Sequence, residues 1–233
     1  MRKMSGGSFI FIIFLAYMAF NSIQSGRFDN PGEWLLDMLM RMPAIIIGIT
    51  FHEAAHAYSA WKLGDQTPMA QKRVTLNPLR HLDPIGLIAL VFVGFGWGKP
   101  VQVNPYAFKK NPRLSNLIVD VAGVITNFII AFLFTALLFV VKDPTLFTIV
   151  LNIVYINIVL MLFNLLPVPP LDGFGIVTEV FGLRRFSWYH KLYSFGTFIL
   201  LAIVIFGVAG KILGPALNEI LSFFYSVWSP VFL

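Results

Sequence analysis

Residues 116–141 and 146–166 are two apolar runs joined by little more than Lys142-Asp143-Pro144, and within the two runs Asp120 is the single charged residue. Each exceeds the roughly 20 residues that a helix needs to cross the hydrocarbon of a bilayer. In lipid no water is at hand to take up an unpaired N–H or C=O, so a spanning chain must be a helix or a closed barrel. Runs this long, without period-two alternation, predict helices. Composition agrees: 58% of residues are hydrophobic and 12% charged, with a mean hydropathy of +0.79, against about 45–50% and about 25% in soluble domains. A soluble fold is excluded.

The rest of the chain extends the pattern. Arg2 and Lys3 precede a first span at about 8–24, and Asn21-Ser22-Ile23-Gln24-Ser25-Gly26 is a poor cleavage site, so a retained helix is expected. A second helix starts at Trp34 or Pro43 and runs to Leu63, where Gly64-Asp65 reads as its stop. Residues 85–97 are apolar but too few to cross, and Arg73-Val74-Thr75-Leu76 and Pro100-Val101-Gln102-Val103-Asn104 have strand character. A short re-entrant or β-hairpin region is expected there. A last span falls at about 194–214, followed by an aromatic tail after Pro215 that suits the membrane interface. The expected fold class is an all-α polytopic membrane protein, a bundle of about five to six transmembrane helices forming one domain over 1–233 with its core at 44–185.

The net charge of +6 resembles that of a nucleic-acid binder only until its residues are mapped. They fall mostly in short loops, where topology explains them, so no nucleic-acid partner is expected. If residues 85–97 re-enter without crossing, one side receives thirteen of the 17 Lys and Arg, leaving Arg27, Arg41, Lys142 and Lys211 opposite. A full crossing divides them almost evenly. The positive-inside rule prefers the first arrangement, which puts the N-terminus and residues 62–116 and 167–193 in the cytoplasm of a cell-membrane protein. Cys is absent, which removes disulfides, thiolate metal sites and cysteine nucleophiles.

Chemistry enters at Phe51-His52-Glu53-Ala54-Ala55-His56, in the second helix. Residues four apart on a helix share a face, so His52 and His56 can hold one zinc ion while Glu53 takes a proton from water at the metal. Their expected depth is roughly 9–15 Å below the cytoplasmic end of the helix. A further protein ligand must reach that depth from the same side. Asp172, in Pro169-Pro170-Leu171-Asp172-Gly173, follows the cytoplasmic end of a span in a segment that proline and glycine keep from regular helix, and it is the best candidate. Asp120, Asp83, His81 and Glu179 are weaker ones. The plainer reading of Asp172 is a turn aspartate before glycine.

With these residues in place, the chain resembles the site-2 protease family of intramembrane zinc metalloproteases. Phe51-His52-Glu53-Ala54-Ala55-His56 matches its zinc helix, and Asn164-Leu165-Leu166-Pro167-Val168-Pro169-Pro170-Leu171-Asp172-Gly173 its second signature. Leu76-Asn77-Pro78, His81-Leu82-Asp83-Pro84-Ile85-Gly86 and Gly96-Trp97-Gly98-Lys99-Pro100-Val101-Gln102-Val103-Asn104-Pro105 are similar to the compact bacterial and archaeal branch, without PDZ or CBS modules. One departure is visible: the family's Ala-Gly-Pro-x-x-Asn reads Ala122-Gly123-Val124-Ile125-Thr126-Asn127, which puts the helix geometry there in doubt. The resemblance implies one zinc per chain on His52, His56 and Asp172, Glu53 as the catalytic base, and transmembrane proteins in the bilayer as substrates cut by regulated intramembrane proteolysis. It also implies that Asn164 binds substrate or stabilises the transition state. Asn127 and His81 are further candidates for that role, against interhelical hydrogen bonding and a solvated loop as their plain readings. A metal transporter or a catalytically silent membrane-protein binder is the competing class of function; acidic or His-lined spans and internal repeats, the marks of a transporter, are not seen. Oligomeric state is left open.

Overall fold

A computed structural model of the protein describes the backbone of residues 6–93 and 96–232. Among these, nine α-helices follow one another: α1 (Gly6–Gln24), α2 (Pro31–Leu63), α3 (Thr67–Ala70), α4 (Pro84–Val93), α5 (Pro112–Leu137), α6 (Pro144–Asn164), α7 (Asp172–Phe181), α8 (Tyr189–Ile205) and α9 (Val208–Phe232). Three of them, α2, α5 and α6, are long and apolar enough to cross a membrane, and α8 with α9 makes a fourth if that bent pair is one span. The five to six expected are not confirmed: α1 is not among these candidates, and α8 and α9 meet at 73°. The bend sits at Gly207, which takes a left-handed φ of +65°, and not at Pro215, which lies inside α9. The expected N-terminal span coincides with α1; Arg2 and Lys3 lie outside the described residues.

The three long helices begin alike. Asn30, Asn111 and Asp143 each precede a proline at the first helical position, and each side chain accepts a hydrogen bond from a backbone N–H of the first turn. Proline has no N–H to leave unpaired there, and the Asx oxygen satisfies one that is left over. Helix α2 ends on Gly64, left-handed at φ +116°, as the Gly64-Asp65 stop predicts. It passes through Pro43 without ending.

Helices α2, α5 and α6 pack side by side. Ala44, Ile130 and Ile153, one from each, form a buried cluster, and Val124, Ala131, Val154, Ile158 and Met161 form a second with Leu217 and Phe224 of α9. Phe224 is fully buried edge-on against Phe128 and Phe132, and Trp228 Nε1 donates to Phe132 O at 2.9 Å. The aromatic tail therefore packs on the bundle along its length. Ile125, Ile129 and Leu133 on α5 and Phe147, Leu151 and Tyr155 on α6 form outward stripes, each residue 39–53% exposed. Such apolar exposure at four-residue spacing suits lipid. The chain is a multi-pass membrane protein.

The region between α2 and α5 corrects one expectation. No strand forms among the described residues; one isolated antiparallel bridge joins Leu82 to Gly98. The backbone of the two strand-like segments is taken up by side chains instead. Val101 N–H goes to Glu53, Asn104 N–H to Asp65, Arg73 takes the carbonyls of Lys99 and Pro100, and His81 takes that of Thr75. Residues 98–109 thus run as a strap along α2 from Glu53 to its C-terminus, where Lys109 N–H donates to Leu63 O at 3.1 Å. The bridge also brings the two ends of the apolar 85–97 stretch together; Gly94 and Phe95 lie outside the described residues.

Candidate metal centre

His52 and His56 lie on the α2 face turned to α5, both buried. Three α5 positions, each four apart, meet them. Val119 O accepts from His56 Nδ1 at 2.7 Å, and Asn127 Oδ1 accepts from His52 Nδ1 at 2.6 Å. Between these partners sits Gly123, where a Cβ would fall 2.4 Å from His56 Nε2 and 2.6 Å from His52 Cε1. Only a residue without a side chain lets α5 come this close.

These contacts decide the tautomers. A carbonyl only accepts, so His56 carries its proton on Nδ1. Asn127 donates through Nδ2 to Gly48 O at 3.2 Å and to Asn157 Oδ1 at 2.8 Å, and Asn157 Nδ2 donates to Ile153 O at 2.8 Å. Asn127 Oδ1 is therefore the atom facing His52, and His52 too is protonated on Nδ1. In the neutral form of both rings the Nε2 atoms, 3.0 Å apart, are then the lone-pair nitrogens.

The third side is Asp172, at the start of α7. Its Oδ2 lies 3.2 Å from His52 Nε2 and 3.3 Å from His56 Nε2, buried and without a hydrogen-bond donor. Two imidazole Nε2 atoms and a carboxylate oxygen converge on one point. Zinc–nitrogen and zinc–oxygen bonds of about 2.0–2.2 Å in a tetrahedron put neighbouring donors about 3.3 Å apart. The observed edges match this, so His52, His56 and Asp172 could hold one metal ion with a fourth position open.

Close approach brings Asp172 there. A Cβ at Gly173 would strike Leu165 O at 2.2 Å, and one at Gly175 would strike Asp120 Oδ2 at 2.3 Å, so α7 packs tightly on α5 and on the turn after α6. Glu179, buried near the end of α7, ties it down: its carboxylate accepts from Arg184 at 2.7 Å and from Asn116 at 3.2 Å, and Arg113 takes the carbonyls of Glu179 and Val180. These engagements remove Glu179 from the alternative ligands, and Asp83 caps the first turn of α4 through Gly86 N–H.

Glu53 faces the strap: its Oε2 accepts from Val101 N–H at 3.0 Å and lies 3.6 Å from Arg73 Nη2. Asn127 is fully buried behind His52, not on its open side. Asn164 donates back to Leu160 O of its own helix at 2.9 Å and is not one of the three residues of the metal group. His81 is fully buried, its Nε2 paired with Thr75 O at 2.8 Å; burial lowers its pKa, and it stands apart from the metal group. Sequence reasoning missed Val119, Gly123 and Arg73. Gly123 stood in the quoted Ala122-Gly123 pair, whereas a backbone carbonyl such as Val119 O leaves no residue-type signal.

A helical membrane protein with a buried two-histidine, one-aspartate centre and a neighbouring glutamate defines a class, the integral membrane metalloenzymes. Comparison with known proteins narrows it. The family profile Peptidase family M50 matches residues 140–207. Over 206 residues the chain is 39% identical to "Putative zinc metalloprotease YwhC" of Bacillus subtilis, covering 80% of this chain and 91% of that protein. It is 29% identical over 167 residues to "Putative zinc metalloprotease Rip2" of Mycolicibacterium smegmatis, covering 69% and 62%, and 30% identical over 147 residues to "Putative zinc metalloprotease MJ0611" of Methanocaldococcus jannaschii, covering 63% and 73%. No solved structure matches. The chain belongs to peptidase family M50, the site-2 protease family: it is a zinc metalloprotease.

Proposed function

We propose that the protein is a site-2-type intramembrane endopeptidase that hydrolyses peptide bonds in or near transmembrane segments of other membrane proteins. The observation that carries this is the convergence of His52 Nε2, His56 Nε2 and Asp172 Oδ2 on one point next to Glu53 in the chain, inside a bundle whose outer faces are apolar. His56 lies seven residues before the end of α2, about 10 Å along its axis, so the centre is below the helix end and not at it. Water would enter from the end of α2 and substrate from the lipid.

His52, His56 and Asp172 hold the zinc in this reading. Bound zinc supplies Lewis acidity, which lowers the pKa of water and polarises a peptide carbonyl. Glu53 accepts the proton of the attacking water and returns it to the leaving amine. Asn127 and Val119 keep both imidazoles in the Nδ1–H tautomer, so that Nε2 stays free for the ion. Asn164 would act on substrate only after giving up its bond to Leu160 O. A transmembrane helix shields its carbonyls, so it must unwind first, and extended pairing with Val74-Thr75-Leu76 or Val101-Gln102-Val103 is one route. The positive-inside rule puts the loop between α2 and α5 and residues 167–193 on the cytoplasmic face of the cell membrane.

The test uses purified zinc-loaded protein in lipid vesicles with a panel of single-pass transmembrane peptides. Cleavage is expected for the wild type, lost with chelator, and lost in Glu53→Gln, which still binds zinc. A silent binder or a transporter would bind zinc and cut none of the panel.

A further inference from the structure

Arg73 is the one lysine or arginine buried among the described residues, 4% exposed. Nothing in the metal centre uses it, and in the sequence it counts only toward loop charge. Its guanidinium reaches across 26 residues of chain to the strap: Nη2 donates to Lys99 O, and Nη1 donates to Pro100 O at 3.2 Å. The same Nη2 lies 3.6 Å from Glu53 Oε2. The next strap residue, Val101, gives its N–H to that same oxygen at 3.0 Å. One planar fork thus grips two successive carbonyls, and the segment it grips delivers a donor to Glu53.

The surroundings make the grip specific. Gly98 lets the strap lie flat on α2, since a Cβ there would fall 2.8 Å from Ile49 and 3.7 Å from Glu53 Oε1. Lys99 N–H donates to His81 O at 2.7 Å, and Gln71 Nε2 donates to Gln102 Oε1 at 2.7 Å, so the strap is pinned on either side of the Arg73 contact. A base that moves a proton must be held within a fraction of an ångström of its productive position, and an ångström of misplacement costs about 100-fold in rate. A carboxylate on a short flexible side chain needs fixed partners for this, and Glu53 has two here, both set by Arg73.

We propose that Arg73 is a positioning residue for peptide hydrolysis: it clamps Lys99 and Pro100 so that the Val101 N–H and its own guanidinium fix the Glu53 carboxylate. This rests on the reading of Glu53 as the base. A lysine could place one charge near Glu53 but could not hold both carbonyls, because its donors radiate from a single nitrogen.

The experiment measures kcat and KM on a fluorogenic single-pass transmembrane peptide cut by the wild type, using zinc-loaded protein in lipid vesicles. Arg73→Gln, Arg73→Lys, Val101→Pro and Glu53→Gln are compared, with zinc content and unfolding temperature measured on each. Arg73→Gln is expected to lose about 10- to 100-fold in kcat, with one zinc retained and KM within about threefold. Arg73→Lys should recover part of the loss. Val101→Pro, which deletes the strap's N–H and leaves Arg73 in place, should lower kcat in the same way; it decides the matter if Arg73→Gln does not fold. The inference is overturned if Arg73→Gln keeps kcat within about twofold, if its loss follows lost zinc, or if Val101→Pro is fully active. If Glu53→Gln itself cuts like the wild type, the reading of the base fails; if Glu53→Gln is dead and Arg73→Gln is normal, only the role of Arg73 fails.

Discussion

Replacing Gly123 by alanine tests the metal centre at its narrowest point. The added Cβ would lie 2.4 Å from His56 Nε2, 2.6 Å from His52 Cε1 and 2.7 Å from His52 Nδ1. Non-bonded heavy atoms sit best at about 3.5–4.0 Å, so something must move by about 1 Å. Two responses are open. Helix α5 can back away from α2, which opens the packing around Ala44 and Ile130. Or the imidazoles can turn, which breaks the Nδ1 bonds to Val119 O and Asn127 Oδ1, at about 1–3 kcal/mol for each buried group left unpaired. Either displacement exceeds the roughly 0.2 Å that zinc–ligand distances tolerate. Loss of an orienting partner alone costs about 10- to 100-fold in metal affinity, so Gly123→Ala should bind zinc at least that much more weakly. Competition against a fluorescent zinc chelator in detergent measures it. Gly210→Ala, where a Cβ would meet nothing within 4 Å, is the control and should match the wild type. A folded Gly123→Ala protein with zinc affinity within twofold of wild type would refute the described approach of α5 to the histidine pair.

Three further outcomes follow from the same geometry. Asp172→Ala removes one of three donors and should weaken zinc binding by about 100-fold or more, about 2.7 kcal/mol; unchanged affinity in the chelator competition would dismiss Asp172 as a ligand. Phe224→Ala should destabilise the fold by about 2 kcal/mol, the cavity share of truncating a buried phenylalanine, as read by detergent-titrated unfolding, and leave zinc affinity unchanged. His81, its pKa lowered chiefly by burial, takes up a proton more readily unfolded than folded. Its contribution to stability is present above the ordinary histidine value of about 6.5 and is lost as pH falls through the lower folded value. The unfolding temperature of the zinc-loaded wild type should therefore fall more steeply below pH 6.5 than that of His81→Gln; equal slopes would mean that His81 carries no such term.

Much of the bundle was legible because its causes are local. Hydropathy located α2, α5 and α6, while their starts were misplaced by two to four residues or more, since apolar runs begin after the Asx-Pro caps that start the helices. The His-Glu motif and Asp172 could be paired by depth and side alone. The strand expected at 100–104 does not form, although Val101-Gln102-Val103 has the residue types of one, because local pattern says nothing of competing partners. Here Glu53, Asp65 and Arg73, each far away in sequence, take the backbone groups that a ladder would use. The last span was expected to end before Pro215, yet Pro215 costs one hydrogen bond inside a helix that packing holds together, and the chain breaks at Gly207, which can turn left-handed without strain.

The departure at Val124 can now be weighed against the site it adjoins. Val119, Gly123 and Asn127 recur every four residues and share the α5 face that meets α2. Val124 and Ala131 point elsewhere, into the core with Val154, Ile158 and Phe224. The motif's glycine and asparagine are thus explained by metal chemistry, one as clearance and one as a hydrogen-bond acceptor with its own amide anchored on Gly48 and Asn157. The position between them answers to packing against α6 and α9. Any apolar residue of suitable volume there leaves the other face in register, provided that the helix runs through, and α5 is unbroken from Pro112 to Leu137. The spacing Gly-x-x-x-Asn, and not the residue that follows the glycine, is what the two histidines require.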